Sequence, residues 1–464
     1  MMLLSQAAEV LHGRLNGPDV HFGAVSTDTR TIAKGDLFVA LRGENFDGAR
    51  FVPEALKAGA AAAMVNAASH AGGDSALSTR HSILLVEDTR LALGQLAAYW
   101  RAQFDIPLVA ITGSNGKTTV KEMLAGILRE AGGGEESVLA TRGNFNNDIG
   151  MPLTLLRMNA GHRYAVIEMG MNHPGEFEYL ARLANPDVAL INNATGAHLQ
   201  GLGTLEGVAR AKSEIFAGLK GDGTAIINAD DAHAGLWRTQ AGEHRVFDFS
   251  IERAATVRGE WKAQGYGGEL RLRTPAGEAR AALQVPGEHN ARNALAAATA
   301  ALALQVPLTT IAKGLEGFDG VAGRLQRKQA LHGATLIDDT YNANPASVHA
   351  ALEVLAQAQG KRIFVLGDMG ELGDEAAQFH REIGIAAREL GIEKLFALGA
   401  LSAGAVLEFG SEARHFGHIE ELDATLDKEM DAQTTVLVKG SRFMKMERVV
   451  QFCALQKEEA CCSH

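Results

Sequence analysis

Cysteine is nearly missing from this chain: of 464 residues only Cys453, Cys461 and Cys462 are cysteine, all near the C-terminus. So few, so placed, cannot staple a fold of this size, which excludes a disulfide scaffold and fits a reducing compartment. The C-x-x-C spacing of a zinc site is also missing, so even with His464 close by they read as part of a tail rather than as a metal centre. No run of about 18 apolar residues is present to span a bilayer, which argues against membrane insertion. Residues 1–15 meet Glu9 early and lack the basic region and cleavage signal of a secretory leader, so the cytoplasm is the expected compartment. A basic stripe with interleaved aromatics is missing too. With 44 basic against 55 acidic side chains the net charge is −11, and nucleic acid is a poor candidate partner. Any anionic substrate must therefore be drawn in by local cations.

With 46% apolar and 21% charged residues and no long low-complexity tract, the composition is that of a globular protein. At about 150 residues per domain the length suggests three domains. No sustained heptad or internal repeat points to self-association, so a monomer is expected.

The most informative segment is Leu108-Val109-Ala110-Ile111-Thr112-Gly113-Ser114-Asn115-Gly116-Lys117-Thr118-Thr119. Its apolar start predicts a buried strand. Gly113 and Gly116 let backbone N–H groups face one anion, and a helix beginning near Lys117 points the positive end of its dipole at that anion. This is a phosphate-binding loop in which Lys117 neutralises phosphate charge and Thr118 reaches Mg2+. It is a shortened form, and its warrant is the context: a strand before it and an amphipathic helix, 120–130, after it.

Residues 1–86 are expected to form a mixed unit, with a strand at 35–41, a helix over 52–63 and a strand at 82–86. A helix over 91–104 opens the second unit, 87–321. There, strands at 108–112, 165–168, 188–192 and 225–228 alternate with helices such as 203–219, as in a mostly parallel sheet. The pattern turns strand-rich from 245 to 285, which suggests an antiparallel extension, and returns to helix over 290–305. The third unit, 322–464, repeats the strand–helix alternation with strands at 335–339, 362–367, 395–399 and 436–439. In open parallel sheets ligands bind at the carboxyl ends of strands, so Asp338, Asp339, Asp368 and Lys439 fall where chemistry is expected.

Glu168 ends an apolar strand about fifty residues after the loop, where a Mg2+-binding carboxylate suits a nucleotide enzyme; a carboxylate merely facing water is the alternative. His198 and Lys212 carry little signal alone, among 16 histidines and many solvated lysines. Asn290 and Asn293, three apart at a helix start, share a face from which amides could read a base, while helix capping competes for Asn290. Asp338-Asp339-Thr340-Tyr341-Asn342-Ala343-Asn344-Pro345 gathers more hydrogen-bonding groups behind one strand than a structural loop needs.

Together TGSNGKTT, the strand-end Glu168, His198, Lys212, the HNxxN run, Arg324 and DDTYNANP resemble, in order and spacing, the Mur ligases. The run STDTRTIAKGDLFVALRGENFDG, 26–48, resembles the nucleotide-sugar-binding domain of the members that add the third amino acid and the terminal D-alanyl-D-alanine. GNFNNDIGMPLTLLR (143–157), GDMGELG (367–373) and LVKGSR (437–442) point to the second of these. The nearest rivals are the third-amino-acid-adding ligase and a folylpolyglutamate synthase; a nucleotide-dependent switch without ligase chemistry is a rival of another class.

The resemblance implies an α/β fold of three domains: an N-terminal mixed α/β domain for the UDP-linked substrate, a central ATPase-like domain, and a C-terminal Rossmann-like domain for the incoming dipeptide. The implied reaction joins D-Ala-D-Ala to UDP-MurNAc-tripeptide at the expense of ATP, through an acyl phosphate. Repulsion between a carboxylate and a triphosphate, about 4 kcal/mol per like-charge pair at 4 Å and an effective dielectric near 20, makes cations necessary. Gly113, Ser114, Asn115, Gly116, Lys117, Thr118 and Thr119 would hold the phosphates, and Thr118 and Glu168 a first Mg2+. A second Mg2+ would use His198 and Lys212, the latter converted by CO2 to a carbamate. Asn290 and Asn293 resemble the adenine-binding pair and Asp339 the ribose-binding acid, with Tyr341 and Asn342 beside it. Arg324 resembles a phosphate-facing group delivered by the third domain, so the site is complete only after closure. Ser26, Thr27, Asn45 and Asp47 are candidates for the UDP end, Asn146, Asn147 and Asp148 for the muramoyl-peptide, and Lys439 and Arg442 for the dipeptide carboxylate.

Overall fold

The computed structural model describes residues 1–43, 46–70, 81–171, 173–195, 202 and 204–454; Asn45, His198, Cys461 and Cys462 lie outside these. Among the described residues, sheets of five, nine and six strands follow one another along the chain, and no helix is long and apolar enough to cross a membrane.

The nine-stranded sheet runs in the order Val138–Ala140, Tyr164–Glu168, Leu108–Thr112, Val188–Ile191, Thr224–Asn228, Arg245–Ser250, Val257–Gln264, Gly267–Thr274 and Gly277–Leu283. Both faces of its parallel part are covered, and the side-chain period of 2 divides the strand before the loop between them. Leu108 and Ala110 join a core with Leu93, Leu96, Phe177 and Val208. Val109 and Ile111 join another with Val120, Leu124, Leu295 and Ile311. The helix Glu288–Ala303 has 12 of its 16 residues buried, and alanine is what lets its backbone approach the sheet and the helix Lys117–Gly132 closely. Leu108–Thr112 has Tyr164–Glu168 on one side and Val188–Ile191 on the other. The strand order reverses there, so the loop at its carboxyl end occupies the crevice where such sheets bind ligands.

Two expectations of secondary structure need correction. Residues 52–63 are not one helix: it runs Val52–Ala58 and stops at Gly59, whose φ of 111° ends it in a left-handed cap. Ala62–Asn66 is a buried strand in parallel register with Leu37–Val39 and Ser82–Val86; pairing on both sides overrides the helix preference of alanine. The extension beyond 245 also does not begin antiparallel. Arg245–Ser250 pairs in parallel with Thr224–Asn228, because the link contains the helix Ala234–Gln240 and a crossover of that kind returns the chain in the same direction. Antiparallel pairing begins between Val257–Gln264 and Gly267–Thr274, where the short link at Gly265 and Tyr266 permits only a hairpin.

The six-stranded sheet has the order Gln326–Gln329, Thr335–Asp339, Thr434–Lys439, Lys361–Gly367, Lys394–Leu398, Ala413–Phe416, parallel except for its first strand. Asp339 and Lys439 are register partners at adjacent strand ends. Cys453 is no part of a tail: it ends the helix Glu447–Cys453, is fully buried, and burial pushes its thiol up to about 12, which keeps it unreactive.

Candidate active site

The second and third units enclose a cleft of about 1270 Å³, lined among others by Ser114, Asn115, Gly116 and Lys117 of the loop. Gly116 takes φ 78° as the cap of the helix Lys117–Gly132, and an added Cβ would lie 2.3 Å from Asn293 Oδ1 and 2.6 Å from Asn192 Nδ2. Only glycine fits. Lys117 Nζ donates to the carbonyls of Gly113 (2.7 Å) and Ser114 (3.3 Å). Burial holds its ammonium below the usual lysine range, with Glu168 opposing and Arg324 adding to the effect.

The loop is gripped by amides that sequence reasoning passed over. Asn115 N donates to Asn193 Oδ1 at 2.8 Å, and the Nδ2 groups of Asn192 and Asn193 each donate to the Asn115 carbonyl at 3.0 Å. Asn192 Nδ2 also reaches Asn293 Oδ1 at 2.9 Å, and Asn228 Nδ2 holds the Asn192 carbonyl at 2.9 Å. The legible signal was Asn192-Asn193 directly after an apolar strand, where parallel pairing with Leu108–Thr112 delivers both amides to the loop. Asn290 and Asn293 line the cleft together. Asn290 does not cap the helix, whose cap is Gly287; its Nδ2 donates to the Pro286 carbonyl at 2.8 Å.

Glu168 is buried at the end of its strand. Its carboxylate accepts from Thr118 Oγ1 at 2.9 Å and from Asn146 Nδ2 at 2.8 Å. A carboxylate beside a hydroxyl in a buried, cleft-facing position is the oxygen donor set a hard divalent cation takes, so these residues fit a Mg2+ ion. Lys212 is 1% exposed, with Nζ 5.8 Å from the centre of the Phe177 ring. Burial, reinforced by Lys117 and opposed by Asp231, holds its amine well below the ordinary lysine value. The shift favours the neutral amine, the form that can react with CO2.

Arg324 comes from the third unit and crosses the cleft: Nη2 donates to Thr118 Oγ1 at 2.9 Å. Its guanidinium lies 4.1 Å from the Tyr341 ring centre, and the buried Nε has no hydrogen-bond partner among the described residues. The residue after it, Leu325, holds φ 49°, a conformation side chains rarely adopt. Leu325 is held there by the Tyr266 hydroxyl, which donates to its carbonyl at 2.7 Å, and by Asp339 Oδ1, which accepts from its N–H at 3.1 Å. Asn344 makes a second bridge between units, with Nδ2 donating to Asn115 Oδ1 at 2.8 Å.

Lys439 is buried and pairs with Asp339 Oδ2 at 2.5 Å while donating to the Asn342 carbonyl at 3.0 Å. Its charge is therefore already matched within the protein, whereas Arg442 is exposed, with Nη1 3.8 Å from Glu447 Oε1 and the guanidinium 5.8 Å from the Tyr341 ring centre. Asn146, Asn147 and Asp148 line the cleft together with Arg90, which sequence reasoning did not single out. Ser26, Thr27 and Asp47 do not line it. Ser26 ends an edge strand of the five-stranded sheet, and Asp47 caps the turn Gly48–Phe51 by accepting from Ala49 N at 3.0 Å.

Three family models match in succession: "Mur ligase family, catalytic domain" over residues 21–101, "Mur ligase middle domain" over 111–301 and "Mur ligase, glutamate ligase domain" over 323–442. The chain is 42% identical to the UDP-N-acetylmuramoyl-tripeptide--D-alanyl-D-alanine ligase of Escherichia coli, with 99% of each covered. It is similar in structure to MurF from Acinetobacter baumannii, with a TM-score of 0.89, 38% identity and 96% and 97% of the two chains covered. It is also similar to the MurF ligase from Thermotoga maritima in complex with ADP, with a TM-score of 0.80, 26% identity and 92% and 96% covered.

Proposed function

The chain belongs to the Mur ligase family, and from that membership we propose that it is an ATP-dependent, ADP-forming ligase that joins D-Ala-D-Ala to UDP-MurNAc-tripeptide, making a peptidoglycan precursor. Residues 1–86 take the UDP-linked peptide, 87–321 the nucleotide and 322–464 the dipeptide. The observation that carries the reading is the convergence of Thr118, Glu168, Asn146 and Arg324, drawn from two units, beside the phosphate loop.

The tripeptide carboxylate attacks the γ-phosphorus of ATP, forming a C–O–P linkage and releasing ADP; the amine of D-Ala-D-Ala then attacks the carbonyl carbon and phosphate leaves. Lys117 and the backbone N–H groups of the loop offset triphosphate charge in the first step. Arg324, whose buried Nε has no hydrogen-bond partner among the described residues, takes up charge that moves onto the transferred phosphoryl oxygens. Asn146 and Asn147 orient the peptide. Asn290 and Asn293 hold the adenine, and Asp339, Tyr341 and Asn342 the ribose side. Arg442, exposed at the lip of the cleft, receives the dipeptide carboxylate, while Lys439 fixes Asp339. Closure of the third unit over the loop excludes water from the acyl phosphate.

Thr118 and Glu168 would hold one Mg2+, and Lys212, as a carbamate, would hold a second together with His198; the ions would supply positive charge between carboxylate and phosphates. The reading has the chain working in the cytoplasm, where ATP and UDP-linked precursors meet, and as a monomer, since one copy supplies every group named here. Its test is phosphate release that requires both substrates, with the mass of the product determined.

A further inference from the structure

The antiparallel extension of the second unit has no part in the reaction above, yet the tip of its hairpin is built into the third unit. Gln264 pairs with Gly267 across the hairpin, which leaves Gly265 and Tyr266 as the link between its strands. A Cβ at Gly267 would lie 1.9 Å from the Leu283 carbonyl oxygen, so the base of the tip is held close against the next strand of the extension. The Tyr266 side chain packs against the core of the third unit that contains Leu325, Ile337 and Phe364. The Arg327 guanidinium lies 5.4 Å from the centre of its ring, and its hydroxyl donates to the Leu325 carbonyl at 2.7 Å. Burial lifts that hydroxyl above the usual tyrosine range, with Arg327 opposing and Asp339 adding. It therefore stays protonated, and a donor, at neutral pH.

Leu325 follows directly on Arg324. The turn before it is held locally: Arg324 N donates to the Val321 carbonyl at 3.0 Å, and Tyr341 N to the Gly323 carbonyl at 3.1 Å. Leu325 itself, at φ 49°, is in a conformation that persists only where its surroundings over-determine it. Two bonds do so, one from its N–H to Asp339 Oδ1 and one from the Tyr266 hydroxyl to its carbonyl. Asp339 belongs to the third unit and moves with the turn. Tyr266 belongs to the second, so of these two bonds only its own refers the turn to the sheet that carries Thr118. With that bond gone, Leu325 can relax toward an ordinary φ and change the direction from which Arg324 approaches Thr118. A misplacement of about 1 Å in a catalytic group can cost about 10²-fold in rate.

We propose that Tyr266 is a positioning residue of the ligase reaction: by tying the Leu325 carbonyl to the second unit, it aims the Arg324 guanidinium at the phosphoryl group held by the phosphate loop. Tyr266 does not line the cleft, so it acts through Arg324 and not on a substrate. The inference rests on the ligase reading, in which Arg324 takes up charge on the transferred phosphoryl oxygens.

The test is steady-state kinetics of the full chain with ATP, UDP-MurNAc-tripeptide and D-Ala-D-Ala in wild type, Tyr266→Phe, Arg324→Ala and the double variant, with equilibrium ADP binding measured for each. Tyr266→Phe keeps the ring and loses only the hydroxyl. Its kcat is expected to fall about five- to tenfold, the scale of one neutral hydrogen bond, while KM for ATP and ADP affinity stay within about twofold of wild type. The double variant should match Arg324→Ala alone to within about twofold, because residues that act through one another do not add. Losses that multiply in the double variant would give Tyr266 a role independent of Arg324 and overturn the proposal. A Tyr266→Phe variant with the wild-type kcat would also overturn it. So would one that loses ADP affinity along with kcat, whether by misfolding or otherwise, since that marks a merely structural part. A wild type that releases no phosphate with both substrates present would instead overturn the ligase reading, and this inference with it.

Discussion

Arg324 Nη2 donates to Thr118 Oγ1 at 2.9 Å, while the same hydroxyl donates its proton to Glu168 Oε2 at 2.9 Å. A cation from the third unit, a hydroxyl from the phosphate-loop helix and a carboxylate from the neighbouring strand are thereby joined through one oxygen, across 206 positions of sequence between Arg324 and Thr118. With the Asn344–Asn115 bridge, this contact brings two separately built sheets into a common site.

Arg324→Ala is expected to lower kcat by about 10²–10³-fold, the usual loss when a donor to transition-state charge is removed. ADP affinity should change far less, since the loop itself is intact. Steady-state kinetics alongside equilibrium ADP binding check this. Equal losses in both would assign Arg324 to ground-state binding instead.

Gly116→Ala should weaken ATP binding by about tenfold or more. The left-handed backbone alone costs about 1–2 kcal/mol for a residue with a side chain, and the new methyl would displace Asn293 and Asn192 from the loop. Nucleotide titration by calorimetry measures it. An unchanged affinity would mean that the amide cluster does not shape the nucleotide site.

Lys212→Ala is expected to reduce turnover by about 10–100-fold, the scale of losing support for a metal site. Wild-type protein equilibrated with 13C-bicarbonate should show a carbamate carbon signal that the variant lacks. Normal turnover by the variant would remove Lys212 from the reaction altogether.

Asp423 tests a pH dependence away from the cleft. Burial, with Glu420 adding and Arg448 opposing, raises its carboxyl from the ordinary 3.8 to about 6, and Oδ1 is buried without a hydrogen-bond partner among the described residues. Between those values the folded chain binds a proton that the unfolded chain does not. Stability through this group is therefore present below about 4 and is lost as pH rises through about 6. Asp423→Asn should raise Tm at pH 8 by roughly 2–4 °C, and the two melting curves should meet below pH 4. A variant less stable at pH 8 would contradict the assignment.

The phosphate loop, the strand-end Glu168 and the pair Asn290 and Asn293 were legible because each has a local cause: glycine at a tight turn, a carboxylate after an apolar run, and amides spaced for one helix face. What went unread depends on pairing between distant segments. Asn192 and Asn193 matter because their strand lies beside Leu108–Thr112, and Tyr266 because its hairpin reaches Leu325. Lys439 reads as a free cation by position, yet its burial against Asp339 becomes visible only when two strands 100 residues apart are set in register. The same kind of pairing turned the alanine-rich run at 62–66 into a strand.

The most direct test of the central claim is phosphate release from ATP by the purified chain with UDP-MurNAc-tripeptide and D-Ala-D-Ala, each omitted in turn, with product mass determined. The account predicts release only when both are present, and a product of the mass of UDP-MurNAc-pentapeptide. ATP binding without coupled release, or release with no new amide product, would contradict it.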